Sequence, residues 1–532
     1  MLFFNYIKFL KSIYKNFRNK KNNDKSIILV EFYSNLFPLL GVLFLIKALM
    51  NVKRSKVLFY HTKITSDYSG VFKILLKYIL HFRTLFIYLA LGAKPNFCIV
   101  NNQVNNIAKK KFLKIIELIH SKDDLLNLTL EGVEVGDLFY DNYLRQNSKH
   151  TLEITPEFKK ILLQYLNEFY YWHNFFNKHD IKSVVVSHAV YNLAIPLRIA
   201  QTKSIASYIA SLNFIEYFDS NRKTIFHSEY RNSFKLLSEY EKKNKLLYAK
   251  KLLEKKFHGE HNFSELKGYG SNPEVRKNLS LEQLETFGKK ETNKKEIFKK
   301  NGKPNVLIMA HCFYDAPHAV GKFLFSDFYD WVIHLGKISN ETDYNWYIKK
   351  HPHSVEKKLN DEIIEKIILQ YPKIKLLKDN VTNNEILSDN LSLILTVHGS
   401  SGYEFSYNGV PVILASDNSS YKDYNICYQP KDVKDFDNVI KNFKNVTFPF
   451  DKNEILRYYY NINLAYWNLI PVEEYNKIFK QGVSQNFKLT NLIQENKLYQ
   501  HFNATIDTKI FNKKIVEIEN FIRNKDCRLF SK

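Results

Sequence analysis

The sequence predicts an α/β protein with two domains, each layered around a mostly parallel sheet. In both halves of the chain, short apolar runs of strand length alternate with longer runs of helical periodicity, which is typical of parallel α/β layers. The length of 532 residues exceeds that of one compact domain. Between the two alternating regions, residues 239–303 are rich in Lys, Glu, Asn and Gly, which predicts an interdomain linker.

Five segments follow from this alternation. We expect a basic amphipathic segment at 1–25, an N-terminal domain at 26–238, the linker at 239–303, a C-terminal domain at 304–446 and a helical segment at 447–532. In the N-terminal domain, the apolar runs predict strands at 27–33, 56–61, 97–100, 183–187 and 205–211, and helices at 71–91 and 157–178.

The net charge of +24 predicts an anionic partner: a membrane, a nucleic acid or a phosphorylated substrate. No basic and aromatic motif marks a known RNA- or DNA-binding module, so we expect no nucleic-acid partner. The four cysteines are far apart and form no CxxC pair, which gives no zinc signature and fits a reducing compartment.

The first 25 residues form an apolar stripe interleaved with Lys8, Lys11 and Lys15, rather than the continuous apolar run of a secretory signal. Two interpretations stay open: a helix lying on an anionic membrane, or a surface helix that packs on its own domain. The next apolar stretch, 27–50, has an uncharged core shorter than the roughly 20 residues that a spanning helix needs. We expect a buried strand leading into a helix there, with a membrane span as the alternative.

Two polar clusters in the first half follow predicted strand or turn positions. Asp137 and Asp141 come after a glycine turn, and His188 comes directly after the strand predicted at 183–187. Ligands bind outside the carboxyl ends of strands in open parallel sheets, so these three residues are our acceptor-side candidates. For His188 the alternative is a hydrogen-bonded helix cap.

In the second half, three apolar runs each end in polar residues suited to a phosphate. The polar segments are HCFYDAPH at 311–318, KKHP at 349–352 and HGSSG at 398–402. Because the carboxyl ends of parallel strands share one edge of a sheet, the three segments predict a single nucleotide-binding edge.

Each segment suggests a role. The turn with Ser400, Ser401 and Gly402 enters a helix expected to start near Tyr403, and a helix N-terminus attracts phosphate. Glu404 is placed to accept hydrogen bonds from a ribose or sugar hydroxyl. In the KKHP segment, Lys349 supplies positive charge and His351 a donor with a tunable pKa, while Pro352 stiffens the turn.

The HCFYDAPH segment contains three candidates for donor contact and proton transfer. His311 begins the segment, and Asp315 or His318 would act as general base toward an acceptor hydroxyl. The alternative is a polar loop whose His and Asp cap the next helix. No further cluster of His, Cys or acidic residues supports a metal site, so none is expected.

The motifs IKKHP (348–352) and HGSSGYEFSYNGVPVI (398–413) resemble those of bacterial capsule polysaccharide biosynthesis proteins, a group that includes Kdo-transferase-like GT-B glycosyltransferases. HCFYDAPH is similar to this group's motif after the first strand of its C-terminal half. The resemblance implies two Rossmann-like domains facing a cleft, braced by C-terminal helices, with the donor in the C-terminal domain and the acceptor in the N-terminal domain. It also implies that Lys349, His351, Ser400 and Ser401 hold the donor phosphate, without a metal or cofactor.

The expected function is therefore a cytoplasmic, membrane-peripheral glycosyltransferase that extends a lipid-linked or growing surface polysaccharide. The HP-type motif favours a CMP-sugar donor, with UDP- and GDP-sugars left open. Two alternatives remain: a CDP-glycerol-type polyol phosphotransferase, and a non-catalytic basic membrane-binding protein.

Overall fold

A computed structural model gives the fold of the chain. It describes residues 1–18, 25–65, 68–211, 214–220, 234, 237–257, 296–319, 321–351, 356–379, 381–416, 421, 424–464, 469–470, 487–506 and 508–529. The described residues separate into two compact units. Unit 1 comprises Met1–Phe139, Ile154–Lys223 and Tyr466–Lys532, and unit 2 comprises Tyr140–Glu153 and Thr224–Ala465.

The strands and helices alternate along most of the chain. The strands are β1 (Ile27–Glu31), β2 (Lys56–Tyr60), β3 (Lys94–Asn96), β4 (Thr129–Leu130), β5 (Val133–Glu134), β6 (Ile181–Val186), β7 (Ala206–Ser211), β8 (Phe214–Phe218), β9 (Asn305–Met309), β10 (Asn345–Lys349), β11 (Ile374–Leu376), β12 (Leu393–Thr396) and β13 (Val412–Leu414). The helices are α1 (Leu2–Asn16), α2 (Leu36–Lys53), α3 (Tyr68–Leu80), α4 (Phe82–Leu91), α5 (Asn102–Ile116), α6 (Lys122–Leu126), α7 (Gly136–Gln146), α8 (Pro156–Lys178), α9 (Ile195–Thr202), α10 (Glu239–Phe257), α11 (Phe328–Glu341), α12 (Lys357–Gln370), α13 (Asn383–Leu387), α14 (Ser400–Tyr407), α15 (Val433–Asn442), α16 (Lys452–Tyr459), α17 (Phe487–Thr505) and α18 (Lys509–Asn524).

Among the described residues, unit 1 has a six-stranded sheet in the order β3-β2-β1-β6-β7-β8, parallel except for the β7–β8 pair. All five residues of β1 are buried, as expected for a strand covered on both faces. The chain runs outward from β1 through β2 to β3 and then crosses to the other side of β1. This strand order is Rossmann-like and places the topological switch point between β1 and β6.

Unit 2 has a five-stranded parallel sheet in the order β11-β10-β9-β12-β13, again counting described residues. Its core packs the apolar sides of α11 and α12 against the sheet, with the fully buried rings of Trp331 and Trp346 among the largest side chains. Here the switch point lies between β9 and β12. The predicted α/β class with two Rossmann-like domains is thus confirmed.

Two predicted elements of the first half differ from the structure. In place of the strand expected at 97–100, the structure has strand β3 at 94–96, which includes Pro95. Because β3 is an edge strand, it tolerates a proline, which has no N–H to donate to a neighbouring strand. The single helix expected at 71–91 is broken at His81 into α3 and α4, which meet at 89°. Strand β1 and helix α2 occupy the stretch for which we expected a strand leading into a helix.

One side of α1 is buried inside unit 1. Tyr6, Phe9 and Ile13 are buried, and the Phe9 ring lies 5.2 Å from the ring of Tyr499 on α17. Phe3 and Tyr14 of the predicted stripe are exposed, so membrane contact by this helix stays a prediction. The alternative, a helix that packs on its own domain, is what the structure shows.

The segments predicted as linker and C-terminal helices are distributed between the two units. Helix α10 lies in the predicted linker. Although its sequence is rich in charged residues, Ala249 and Leu253 are buried in unit 2 against α16. Residues 258–295 of the predicted linker lie outside the described residues. Helix α16 belongs to unit 2, whereas α17 and α18 pack on α1 and α2 in unit 1.

No single helix among the described residues is long and apolar enough to cross a membrane. The bent pair α3–α4 reaches that length and composition only when its two helices are taken together.

Candidate functional site

A small pocket of about 110 Å³ lies at the switch point of the unit 2 sheet. His311 follows β9 and His398 follows β12, so the register of these neighbouring strands brings the two imidazoles together. Their ring centroids are 4.5 Å apart and stacked. The pocket is completed by His351, which follows β10, and by Cys312, Asp315, Ala316 and Phe328. Three of the predicted segments thus meet at one edge, as expected.

His311 is held as a neutral imidazole. It lies between the rings of His398 and Phe328, and its Nε2 accepts a hydrogen bond of 3.3 Å from the Val397 N–H. A nitrogen that accepts from an amide carries no proton, so Nδ1 carries the single proton of the neutral ring. Burial, followed by the nearby His398 and His351, holds the pKa of His311 well below its usual value.

His398 is a pocket residue that the sequence motif contained but that we did not select as a contact. Burial lowers the pKa of His398 to about 4, although the nearby Asp315 carboxylate acts in the opposite direction. Its buried Nδ1 atom has no hydrogen-bond partner within the described part of the chain. A buried ring nitrogen without a partner costs free energy, and a ligand that hydrogen-bonds to it would recover that cost.

Helix α14 begins at Ser400, three residues earlier than expected, and Gly399 forms its N-cap. Gly399 has φ +101° and ψ −179°, a conformation that is essentially restricted to glycine. A Cβ on Gly402 would lie 2.7 Å from the hydroxyl of Tyr421, so glycine is needed there for packing. The two glycines therefore have different roles: Gly399 shapes the turn, and Gly402 leaves room for the side chain of Tyr421.

Lys349 and Glu404 belong to a buried network beside the pocket, not to its lining. The Lys349 ammonium donates to the Asn383 side chain at 2.9 Å, and the Asn383 amide donates to the Glu404 carboxylate, also at 2.9 Å. Lys256 of α10 forms an ion pair of 2.9 Å with the other carboxylate oxygen of Glu404. We expected Glu404 to face a sugar hydroxyl; in the structure its carboxylate is already satisfied by protein groups.

The electrostatics of this network keep it charged. Burial opposes ionisation of Glu404, but Lys256 and the hydrogen bonds from Asn383 and Ser400 hold its pKa below the usual value. Burial lowers the pKa of Lys349 to about 8, while Glu404 and Glu385 act in the opposite direction. Lys256 and Asn383 were missed by the sequence analysis, since neither stands next to a recognisable motif.

The two candidates for general base occupy different surroundings. Asp315 is exposed at the pocket and keeps its carboxylate near His398. His318 lies outside the lining: its Nδ1 is 2.6 Å from Asp141 Oδ1, and its Nε2 is 3.1 Å from the Ser326 carbonyl. Both ring nitrogens of His318 therefore have protein partners, which suits a structural role better than proton transfer.

Two of the acceptor-side candidates already have partners within the protein. Asp141 is buried against His318 within unit 2, and Asp137 pairs with the buried Arg198 of α9 within unit 1. Helix α7, which carries both aspartates, directs each to a separate structural contact.

His188 lies at the switch point of the unit 1 sheet, together with a residue that the sequence analysis missed. The Glu31 carboxylate ends β1 and accepts hydrogen bonds from the Ser187 N–H at 2.7 Å and the Ser187 hydroxyl at 2.6 Å. The His188 Nδ1 lies 2.7 Å from the same hydroxyl. Burial raises the pKa of Glu31 to about 7, against the opposing effect of the Ser187 hydrogen bonds. The sequence signal that could have identified Glu31 is a carboxylate at the last position of a buried parallel strand.

Two further predictions concern Pro352 and a metal site. Pro352 of the KKHP motif lies outside the described residues. Within the described ranges, no three His, Cys, Asp or Glu side chains are grouped so as to hold a metal ion.

Comparisons with known proteins give only distant similarity. No family model matches the chain, and no curated protein matches it. Among solved structures, it is similar to a UDP-GlcNAc 2-epimerase from Methanocaldococcus jannaschii in complex with UDP-GlcNAc and UDP, at 13% identity and a TM-score of 0.25, over 82% of this chain and 98% of that one.

Two other solved structures resemble it to the same degree. A glycosyltransferase from Rickettsia africae ESF-5 has 10% identity and a TM-score of 0.23, over 90% of this chain and 98% of that one. Anabaena Alr3699/HepE in complex with UDP has 10% identity and a TM-score of 0.26, over 86% and 100%. At these identities and scores we infer neither an activity nor a ligand from the similarity; the two Rossmann-like units rest on the sheet topology above.

Proposed function

We propose that this chain is a GT-B-type glycosyltransferase that uses a nucleotide-sugar donor. The observation that carries the proposal is the cluster of His311, His351 and His398 around a pocket at the switch point of the unit 2 sheet, immediately before the N-terminus of α14. Ligands bind at such switch points in open α/β sheets, and helix N-termini bind phosphate. The proposal places the donor in unit 2 and the acceptor in unit 1.

The pocket suits the phosphate part of a donor. A volume of about 110 Å³ fits a phosphate-sized group, whereas complete ligand sites occupy some 300–1,000 Å³. Imidazoles held neutral by burial can donate hydrogen bonds to a phosphate, and its negative charge would favour their protonation. Together with the amides of α14 and the charge of Lys349, they would stabilise the departing nucleotide without a metal ion.

In the proposed reaction, an acceptor hydroxyl oxygen forms a bond to the anomeric carbon of the donor sugar. The bond from that carbon to the phosphate oxygen breaks, and the nucleotide leaves with the electron pair. The hydroxyl proton passes to the Asp315 carboxylate, which is the exposed acidic group of the pocket. We assign His318 to structure, since both of its ring nitrogens are occupied.

The acceptor-side proposal centres on the Glu31, Ser187 and His188 group in unit 1. Its hydroxyl, imidazole and carboxyl are suited to hydrogen-bonding a sugar or polyol hydroxyl. We propose a lipid-linked or growing surface polysaccharide as acceptor, with the protein on the cytoplasmic face of an anionic membrane. The charge of +24 supports that placement, because anionic headgroups attract basic proteins.

The donor nucleotide is tested with a panel of CMP-, UDP- and GDP-sugars. The IKKHP resemblance favours CMP, and the sequence leaves UDP- and GDP-sugars open. Binding is measured by calorimetry and turnover by nucleotide release, and we expect one nucleotide class to bind and be turned over. Absence of binding by every donor would contradict the proposal, as would epimerisation of UDP-GlcNAc without any transfer.

The second candidate, a polyol phosphotransferase, uses the same pocket for the phosphate of CDP-glycerol. Supplying CDP-glycerol with the same acceptors and measuring phosphorus in the product distinguishes the two. The glycosyltransferase proposal predicts a product that contains the sugar and no phosphorus from the donor.

A further inference from the structure

The bent helix pair α3–α4 of unit 1 carries a large exposed apolar face. The face, called here the α3–α4 face, consists of side chains that are 41–69% exposed: Phe72, Leu75, Leu76, Ile79, Leu80, Phe82, Phe86 and Leu89. These are eight of the 24 large apolar side chains that are exposed in the described part of the chain. Large contiguous apolar patches on soluble proteins mark interaction sites.

The spacing of these residues shows that the exposure is systematic. On α3 they fall at positions i, i+3, i+4, i+7 and i+8, which is one face of a helix. The opposite side of α3 packs inward through Ile74 and Tyr78, which are buried. Helix α3 is therefore apolar on both sides, and the fold of unit 1 uses only one of them.

The surroundings of the face are basic. No Asp or Glu occurs between residues 68 and 91, whereas Lys73 and Lys77 are exposed on α3. Helix α1 packs beside α4, where the Tyr6 hydroxyl donates to the Arg83 carbonyl at 3.0 Å. Residues 1–18 also contain no acidic side chain and four basic ones. A basic rim around an apolar face complements an anionic lipid surface, while two copies of the same face would repel each other.

The geometry excludes a straight membrane span for this pair. The 13 residues of α3 extend about 20 Å, short of the roughly 30 Å of a hydrocarbon core. The 89° angle to α4 prevents the two helices from continuing one another. Both can instead lie in the interfacial layer, as amphipathic helices do.

We propose that the α3–α4 face inserts into the interfacial layer of an anionic bilayer and that Lys73 and Lys77 bind its headgroups. We place the main membrane contact on α3–α4 rather than on α1, because Tyr6, Phe9 and Ile13 of α1 are buried and the Phe9 ring packs on Tyr499 of α17. The inference rests on the membrane association contained in the proposed function. It does not depend on the proposed chemistry, because docking on lipid requires no nucleotide.

The test is sedimentation of the full chain with two kinds of vesicle. One consists of phosphatidylcholine alone, and the other also contains about one-third phosphatidylglycerol, an anionic lipid. We expect binding to the anionic vesicles. The triple variant Leu76→Ser, Phe82→Ser, Phe86→Ser should weaken it by at least about tenfold, because each serine removes an inserted apolar side chain. Lys73→Gln with Lys77→Gln should weaken binding only to anionic vesicles, by roughly fivefold per charge.

The control replaces three leucines elsewhere that are even more exposed, at 65–82%: Leu118→Ser, Leu247→Ser, Leu369→Ser. It should bind vesicles as the unsubstituted chain does, and thermal unfolding should show that both triple variants are folded. The proposal is overturned if the α3–α4 variant binds as well as the control, or if neutral vesicles bind as tightly as anionic ones. A dimer that dissociates in the α3–α4 variant, without any vesicle binding, would also overturn it in favour of a second copy.

A depth measurement adds an independent readout. Phe86→Trp places a fluorophore in the face, and Leu118→Trp places one outside it. Lipids brominated on the acyl chains should quench the added fluorescence of Phe86→Trp only. Equal quenching of the two variants would contradict insertion by this face. Glycosyl transfer in detergent tests the catalytic proposal separately, so failure of one proposal is distinguishable from failure of the other.

Discussion

The two sheets share a topology but carry opposite chemistry at their switch points. In unit 1, β1 ends in a carboxylate, Glu31, which is bound by the Ser187 backbone and side chain. In unit 2, β9 is followed by an imidazole, His311, which stacks on His398. Burial opposes the charged form at both edges, raising the pKa of Glu31 and lowering that of His398. The parallel strands of both sheets follow the same order, so the switch point lies at the corresponding position in each, and the residues after each strand decide its charge.

Neutrality has a different consequence at each edge. An anion at the unit 2 edge would be stabilised by proton uptake on the imidazoles. At the unit 1 edge, ionised Glu31 accepts from the Ser187 hydroxyl, which leaves Ser187 to accept from His188. Protonation of Glu31 would reverse that chain, since the carboxyl would then donate to Ser187. One edge is thus suited to a phosphate and the other to a hydroxyl group whose proton is shared.

The largest expected effect is on kcat, and it tests which of the two edges supplies the general base. Asp315→Asn should lower kcat by about 10²–10⁴-fold, the usual contribution of a general base, with donor affinity changed little. Glu31→Gln should act mainly on the KM for the acceptor. Asp361→Asn, which removes a partner of Lys350, serves as the control with near-normal kcat. Steady-state kinetics that show the reverse pattern would transfer the base to unit 1.

The second test removes a hydrogen-bond donor from the unit 2 edge. His351→Ala should weaken donor binding by about tenfold or more, because a hydrogen bond to a charged phosphate contributes about 1.5–3 kcal/mol. His334→Ala is a matched control, since His334 is a partly exposed histidine of the same unit paired with Asp437 outside the pocket. Calorimetry with the nucleotide that binds best gives both values. Equal losses in the two variants would show that the effect is not specific to the pocket.

The third test uses pH. The pKa of His398 is about 4 in the ligand-free pocket, and a bound phosphate should raise it toward or above its usual 6.5. Binding between these values then takes up a proton, so affinity should increase severalfold as the pH falls from 7 to 5. Calorimetry in two buffers of different ionisation enthalpy measures the uptake directly. His398→Asn should abolish most of it, and an unchanged uptake in that variant would assign the proton to another group.

The fourth test concerns stability, which we expect to change with pH in opposite directions at the two edges. The folded-state pKa of Glu31, about 7, exceeds the ordinary 4.5, so stability falls as the pH rises through this interval. For His398 the folded value of about 4 is below the ordinary 6.5, so stability falls as the pH drops through that interval. At its limits each effect amounts to about 3 kcal/mol.

The Glu31→Gln variant isolates the pH dependence of stability that Glu31 contributes. The Gln oxygen can accept from the Ser187 N–H while its amide donates to the Ser187 hydroxyl, as a protonated carboxyl would. Thermal unfolding of this variant should therefore occur at a higher temperature than that of the unsubstituted chain at pH 8, and at a similar temperature at pH 5. A lower unfolding temperature at pH 8 would show that ionised Glu31 stabilises unit 1.

Sequence periodicity was sufficient for the sheets but not for the contacts between side chains. The runs that became β1, β6, β9, β10 and β12 were expected within a few residues, because buried parallel strands are continuous apolar runs bounded by turns. The meeting of the segments at 311–318, 349–352 and 398–402 also followed from strand order. Helix α10 was missed because its charged residues outnumber the two positions, Ala249 and Leu253, that pack.

The roles of individual polar residues depended on partners distant in sequence. Glu404 was expected to contact a sugar, but Lys256, 148 positions earlier in the chain, neutralises it. His318 was a candidate base, but Asp141 occupies its Nδ1. In the same way, the apolar stripe of α1 was predictable, whereas α17, which packs against part of it, comes almost 500 residues later. Local patterns predict which residues are polar or apolar, and long-range packing decides what each one contacts.

We propose that the imidazoles of unit 2, rather than the carboxyl edge of unit 1, hold the donor phosphate. A crystal structure of the chain with its best-binding nucleotide tests this most directly. We expect phosphate oxygens within about 3.2 Å of a ring nitrogen of His351 or His398, and beside the first amides of α14. A nucleotide bound at the Glu31 edge of unit 1, with the imidazoles of unit 2 untouched, would contradict it.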